Sequence, residues 1–117
     1  MGKLSIKKIG ECGVDSGQLF VIDPCYLDRY KDTEHDAPIE NDEELSYASV
    51  CKATLDSREG GQVGGRAGGV AFTTGLGDGC YPVYAIISDE KEWGTRVAGV
   101  FIDFGLVDLN PLDYLIK

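Results

Sequence analysis

The stretch Gly69-Val-Ala-Phe-Thr-Thr-Gly-Leu-Gly-Asp-Gly-Cys-Tyr-Pro-Val-Tyr-Ala-Ile-Ile87 decides how this chain is read. Val70, Phe72 and Thr74 alternate with Ala71 and Thr73, and Val83, Ala85 and Ile87 alternate with Tyr84 and Ile86. Alternation at period two, rich in β-branched and aromatic residues, marks an extended chain with one face buried, so both halves read as strands. Between them Gly75, Gly77 and Gly79 permit positive φ and let a backbone or ligand come close. The pair reads as a hairpin, with its bend as the leading site candidate.

Working outward from that hairpin, the remaining elements come in order. Residues 3–9 alternate imperfectly and carry lysines, as an edge strand does. Residues 11–17 supply turn residues, and the apolar run 18–23 fits a strand covered on both faces. Pro24 has no N–H for a ladder and stops that strand at Asp23. Residues 28–44 hold eight acidic residues against Arg29 and Lys31, which reads as a mobile surface loop. Asn41 with Glu44 has the form of a helix start, predicting a helix to about Leu55 with Leu45, Ala48, Cys51 and Leu55 on one stripe. Alternation of Tyr47, Ser49, Cys51, Ala53 and Leu55 also fits a strand. Residues 88–94 read as a polar turn, 95–103 as a further strand, and the tail with Pro111 as a strap over the core. The count is about five strands and one packed helix: an α+β fold, mainly antiparallel, forming a small sheet or barrel.

Length sets the domain count, since 117 residues with 43% hydrophobic content suit a single domain spanning 1–117. No apolar run approaches the roughly 20 residues of a membrane span, and no signal-peptide core follows the first lysines, so a soluble cytoplasmic protein is expected. A net charge of -9 opposes binding to nucleic-acid phosphates and anionic membranes and favours a basic protein surface as partner. Cys12, Cys25, Cys51 and Cys80 form no C-x-x-C pair and read as free thiols, with Cys51 and Cys80 as small core residues.

Three strings carry a resemblance: Val14-Asp-Ser-Gly-Gln18 leading into Asp23-Pro-Cys-Tyr-Leu27, then Tyr47-Ala-Ser-Val-Cys-Lys-Ala-Thr-Leu55, then Gly75-Leu-Gly-Asp-Gly-Cys-Tyr-Pro-Val-Tyr84. Together they resemble the DUF4241-like group of small bacterial and phage proteins, over most of the chain. The resemblance implies a shared fold and marks Asp15, Ser16, Gly17, Asp23, Pro24, Cys25, Tyr26, Gly77, Asp78, Gly79, Tyr81 and Pro82. It implies no reaction.

Asp15, Asp23 and Asp78 all fall in turns at strand ends, where they would form a carboxylate cluster for a divalent cation or simply bond their own backbone. Cys25 and Cys80 would act as nucleophiles only with a base to activate them. The one histidine, His35, lies between Glu34 and Asp36 in the acidic loop and reads as a surface residue. Arg66, amid Gly64, Gly65, Gly68 and Gly69, would clamp an anion held by exposed N–H groups, which makes a phosphorylated small molecule a second partner class. No EF-hand, HExxH, GxSxG or P-loop string is present, and no cofactor is expected. The resulting expectation is a non-catalytic binding or regulatory protein, such as a mobile-element antagonist of a host factor or a ligand sponge. Its ligand site would draw on Asp15, Ser16, Asp23, Cys25, Tyr26, Arg66, Gly77, Asp78, Gly79 and Tyr81. The rival is a small hydrolase or metal-dependent enzyme using Asp23, Cys25 and Asp78.

Overall fold

The structure, a computed structural model, describes residues 2–108. In chain order these form β1 (Lys3–Val14), β2 (Gln18–Val21), a 3₁₀ turn (Pro24–Arg29), α1 (Tyr47–Asp56), β3 (Gly61–Val63), a second 3₁₀ turn (Gly65–Ala67), β4 (Gly69–Thr73), β5 (Gly79–Glu90) and β6 (Gly94–Ile102). The six strands make two antiparallel three-stranded sheets, ordered β1-β5-β6 and β2-β4-β3. The α+β, mainly antiparallel reading holds, with six strands in place of five and no closed barrel among the described residues. The C-terminal strap expected around Pro111 lies outside them.

The described residues divide into two compact units, one of residues 15–77 and one of residues 2–14 with 78–108. The expected hairpin is where the structure departs furthest from the sequence reading. β4 pairs with β2 and β3, whereas β5 pairs with β1 and β6, so the two halves belong to different sheets. Alternation identifies a strand and its buried face but not its neighbour. Twelve-residue β5 finds a full-length ladder with twelve-residue β1, from Lys3 opposite Asp89 to Val14 opposite Gly79; five-residue β4 has no such length to offer. β1 is the expected edge strand, but it runs on through 11–14, where turn residues had predicted a bend.

In the unit of residues 15–77, β2 is also an edge, and Val21 is 57% exposed, so the reading of 18–23 as covered on both faces is corrected. The helix starts later than its acidic signature suggests. Asn41 accepts from the Glu43 N–H at 2.9 Å in a local turn, and Ser46 is the cap: its hydroxyl accepts from the Ser49 N–H at 3.1 Å while Ser49 Oγ accepts from the Ser46 N–H at 2.9 Å. That is a reciprocal capping box with serine in the usual glutamate position. Leu45 just before the cap and Val50 in the first turn are both buried in one cluster, the arrangement of a hydrophobic staple. With this start the buried stripe is Ala48, Val50, Cys51 and Thr54, and Leu55 turns outward at 82% exposure. Val63 and Ala71 complete the core of this unit, with Phe20, Ile22, Tyr26, Tyr30 and Ala53 packed around it.

Candidate functional site

Asp23 closes the first 3₁₀ turn onto itself. Its Oδ1 accepts from the Cys25 N–H at 2.9 Å and its carbonyl from the Tyr26 N–H at 2.9 Å, while Pro24 begins the turn where no N–H is needed. Cys25 is exposed, and Tyr26 is half-buried against the core. Arg29 then ties this turn to the glycine-rich one: its guanidinium lies 5.8 Å from the Tyr26 ring centroid and its Nη1 donates to the Ala67 carbonyl at 3.1 Å. Asp23, Cys25 and Tyr26 thus share one turn, and Arg66 sits on the turn joined to it through Arg29.

Gly64 and Gly65 take positive φ, 79° and 70°, and Gly65 offers its carbonyl to Gln62 Nε2 at 2.7 Å. Glu43 lies against Gly65, its Cγ 3.3 Å from where a Cβ would stand. Beside this turn α1, β3 and residues 39–44 border a hollow of about 410 Å³, whose lining includes apolar Ile39, Ala53 and Val63 and polar or charged Asn41, Asp42, Glu44, Asp56, Lys52 and Gln62. Its one cation, Lys52, is held by Asp56 at 2.5 Å. A second hollow of about 490 Å³ shares Asn41 and Glu44 and adds Asp28, Glu40 and Glu43 with Arg29 and Lys31. Glu44 accepts from Ser46 Oγ at 2.6 Å and from the Glu40 N–H at 3.2 Å, and the Ser46 hydroxyl, then that N–H, hold its carboxyl below its usual pKa. The acidic run read as a loop therefore supplies much of a wall.

On the other side of α1, Gln18 donates through Nε2 to Cys51 Sγ at 3.3 Å and accepts from Thr54 Oγ1 at 2.6 Å. The Cys51 thiol, first by hydrogen bond and then by charge, raises the Tyr47 pKa above its usual value, against smaller opposing effects of Gln18 and Ser16. Burial, then Asp32, raises that of Tyr30. Cys51 is the core residue expected of it, whereas Cys80 is exposed.

The remaining candidates flank the two places where the chain passes between its units, after Val14 and after Gly77. Asp15 and Ser16 are exposed. Gly17, at φ 68°, accepts through its carbonyl from the Thr74 N–H at 3.1 Å, and the Gly77 N–H donates to the Thr74 carbonyl at 3.1 Å. In the other unit the Tyr81 hydroxyl donates to the Asp78 carbonyl at 3.3 Å, and a Cβ on Gly79 would stand 3.0 Å from Tyr81 Cζ. Among the described residues no group of three or more His, Cys, Asp or Glu side chains is placed to hold a metal ion, and His35 is exposed as read.

A family described as a protein of unknown function, DUF4241, matches residues 5–93. The chain belongs to that family. The DUF4241 match contains all three strings that carried the resemblance and ends at Trp93, one residue before β6. No curated protein and no solved structure matches the chain. Sequence reasoning missed the hollow of the DUF4241 chain lined by Asp42, Glu44, Lys52, Asp56 and Gln62. The signal available was the capping serine at 46, which would have freed the acidic run from the helix and left it to line something else.

Proposed function

We propose that this chain is a non-catalytic binding protein whose hollow between α1, β3 and residues 39–44 receives a basic segment of a protein partner, in a regulatory role such as antagonism of a host factor by a mobile-element product. One observation carries the reading: the hollow's lining holds Asp42, Glu44 and Asp56 against the single cation Lys52, which Asp56 already occupies. An arriving lysine or arginine would find carboxylates to pair with and apolar Ile39, Ala53 and Val63 for its stem. Glu43, which lies against Gly65, adds a further carboxylate there and weighs against a phosphorylated small molecule on the Gly64–Gly65 turn.

The test is titration of the protein with a labelled arginine-rich peptide, followed by anisotropy at low salt and at about 0.3 M salt, where the Debye length falls below roughly 8 Å. Asp42→Lys should weaken binding at least tenfold at low salt, and Asp36→Lys, the same charge change outside the hollow, should weaken it far less. Equal losses in the two variants would assign the attraction to net charge alone and overturn the site.

A further inference from the structure

We propose that β6 pairs with the β6 of a second copy of this chain, antiparallel across a two-fold axis, to form one six-stranded sheet. The sheet β1-β5-β6 has two edges, and they are built differently. β1 carries Lys3, Lys7 and Lys8, the residue type that keeps an edge strand from further pairing. β6 is nine residues long, contains neither lysine nor proline, and has Arg96 as its sole charge. Among the described residues its only partner strand is β5.

The register against β5 gives this open edge an apolar face. The ladder passes over Ala98, so that Val97 lies opposite Ile87 and Val100 opposite Ala85. Ile87 and Ala85 are two residues apart on one strand, so Val97 and Val100 stand on the same face of the sheet. They remain 64% and 57% exposed.

Charge selects the occupant. A chain of net charge -9 repels its own copies except where a surface is nearly neutral or its charges are complementary; β6 is nearly neutral, and Asp103 just past its end carries the charge opposite to Arg96. Run antiparallel to itself, β6 brings Arg96 near the start of one strand to Asp103 just past the end of the other, and the two-fold axis repeats the pair. Asp103 is held at that end by Oδ1 accepting from the Gly105 N–H at 2.8 Å and by its own N–H donating to the Pro82 carbonyl at 3.1 Å. After pairing, both outer edges are lysine-bearing β1 strands, so growth stops at two copies.

Sedimentation equilibrium of the full chain, from micromolar to submillimolar concentration, tests this. The expected mass rises with concentration to twice the chain's 12.6 kDa and no further. Val97→Lys and Arg96→Asp should each return the protein to the monomer mass with an unchanged circular-dichroism spectrum, and Arg96→Asp combined with Asp103→Arg should restore the dimer. A wild type that stays monomeric, a mass that keeps growing past two copies, a dimer untouched by Val97→Lys, or a charge swap that fails to rescue would each overturn the proposal.

Discussion

Gln18 Oε1 accepts the Thr54 hydroxyl at 2.6 Å while its amide nitrogen reaches Cys51 Sγ at 3.3 Å, so one side chain of β2 bridges two successive positions on the buried stripe of α1. The strand ladder supplies no such connection, since among the described residues β2 pairs only with β4. Thr54→Val keeps the shape and removes the donor, leaving a partly buried amide oxygen without that bond. The expected cost is about 1–3 kcal/mol in urea denaturation. Gln18→Leu, which also removes the opposing polar group, should cost less in the Thr54→Val background than in the wild type. Additive costs would mean that the bridge does not couple helix and strand.

Glycine substitutions separate close approach from mere flexibility. A Cβ on Gly69 would collide with the Val21 carbonyl of the neighbouring strand, whereas one on Gly13 meets nothing within 4 Å. Gly69→Ala is therefore expected to destabilise the protein by about 2 kcal/mol or more, the scale of overpacking in a tight site. Gly13→Ala should change it by well under about 1 kcal/mol. Thermal melts followed by circular dichroism distinguish the two, and comparable losses would contradict the packing assigned to β2 and β4.

Glu44 links stability to pH. Its folded pKa is held below the ordinary value of 4.5, first by the Ser46 hydroxyl, so its contribution is present above that value and is lost as pH falls through the lowered one. Glu44→Gln should be less stable than wild type at neutral pH, and the gap should narrow steadily below about pH 4.5. Denaturant midpoints from pH 7 to pH 3 measure this. A gap that stays constant would show that the carboxylate's ionisation contributes nothing to folding.

How much of this was legible in the sequence follows from the range of each interaction. Strand positions around Val70 and Val83 were readable because alternation is local. Their partners were not, because pairing of β5 with β1 joins residues as far apart as Lys3 and Asp89. The helix was visible, but its start was misplaced: Asn41 and Glu44 match a capping box in composition, while the reciprocal bonds of Ser46 and Ser49 and the burial of Leu45 and Ser46 place the cap at Ser46. The family match spans the three strings, yet a string of residues does not announce what it holds. Asp23 uses its Oδ1 on Cys25, and Gly79 makes room for a ring. The acidic hollow needed helix, strand and loop together before it existed at all.

That ring supplies the last test. Tyr81 Cζ and the Tyr81 hydroxyl oxygen would lie 3.0 and 3.1 Å from a Cβ at position 79, and the same ring meets Phe104 edge-on at 5.1 Å between centroids. A methyl at 79 would have to displace the ring, breaking the hydroxyl's bond to the Asp78 carbonyl and disturbing the contact with Phe104. Gly79→Ala should then cost about 1–3 kcal/mol in the wild type, and most of that cost should vanish in a Tyr81→Ala background, giving a coupling of at least about 0.5 kcal/mol in the double-mutant cycle. If Gly79→Ala costs the same in both backgrounds, the glycine is needed for its backbone and not for the ring. Retained stability in Gly79→Ala with loss of a bound partner would instead assign the glycine to recognition.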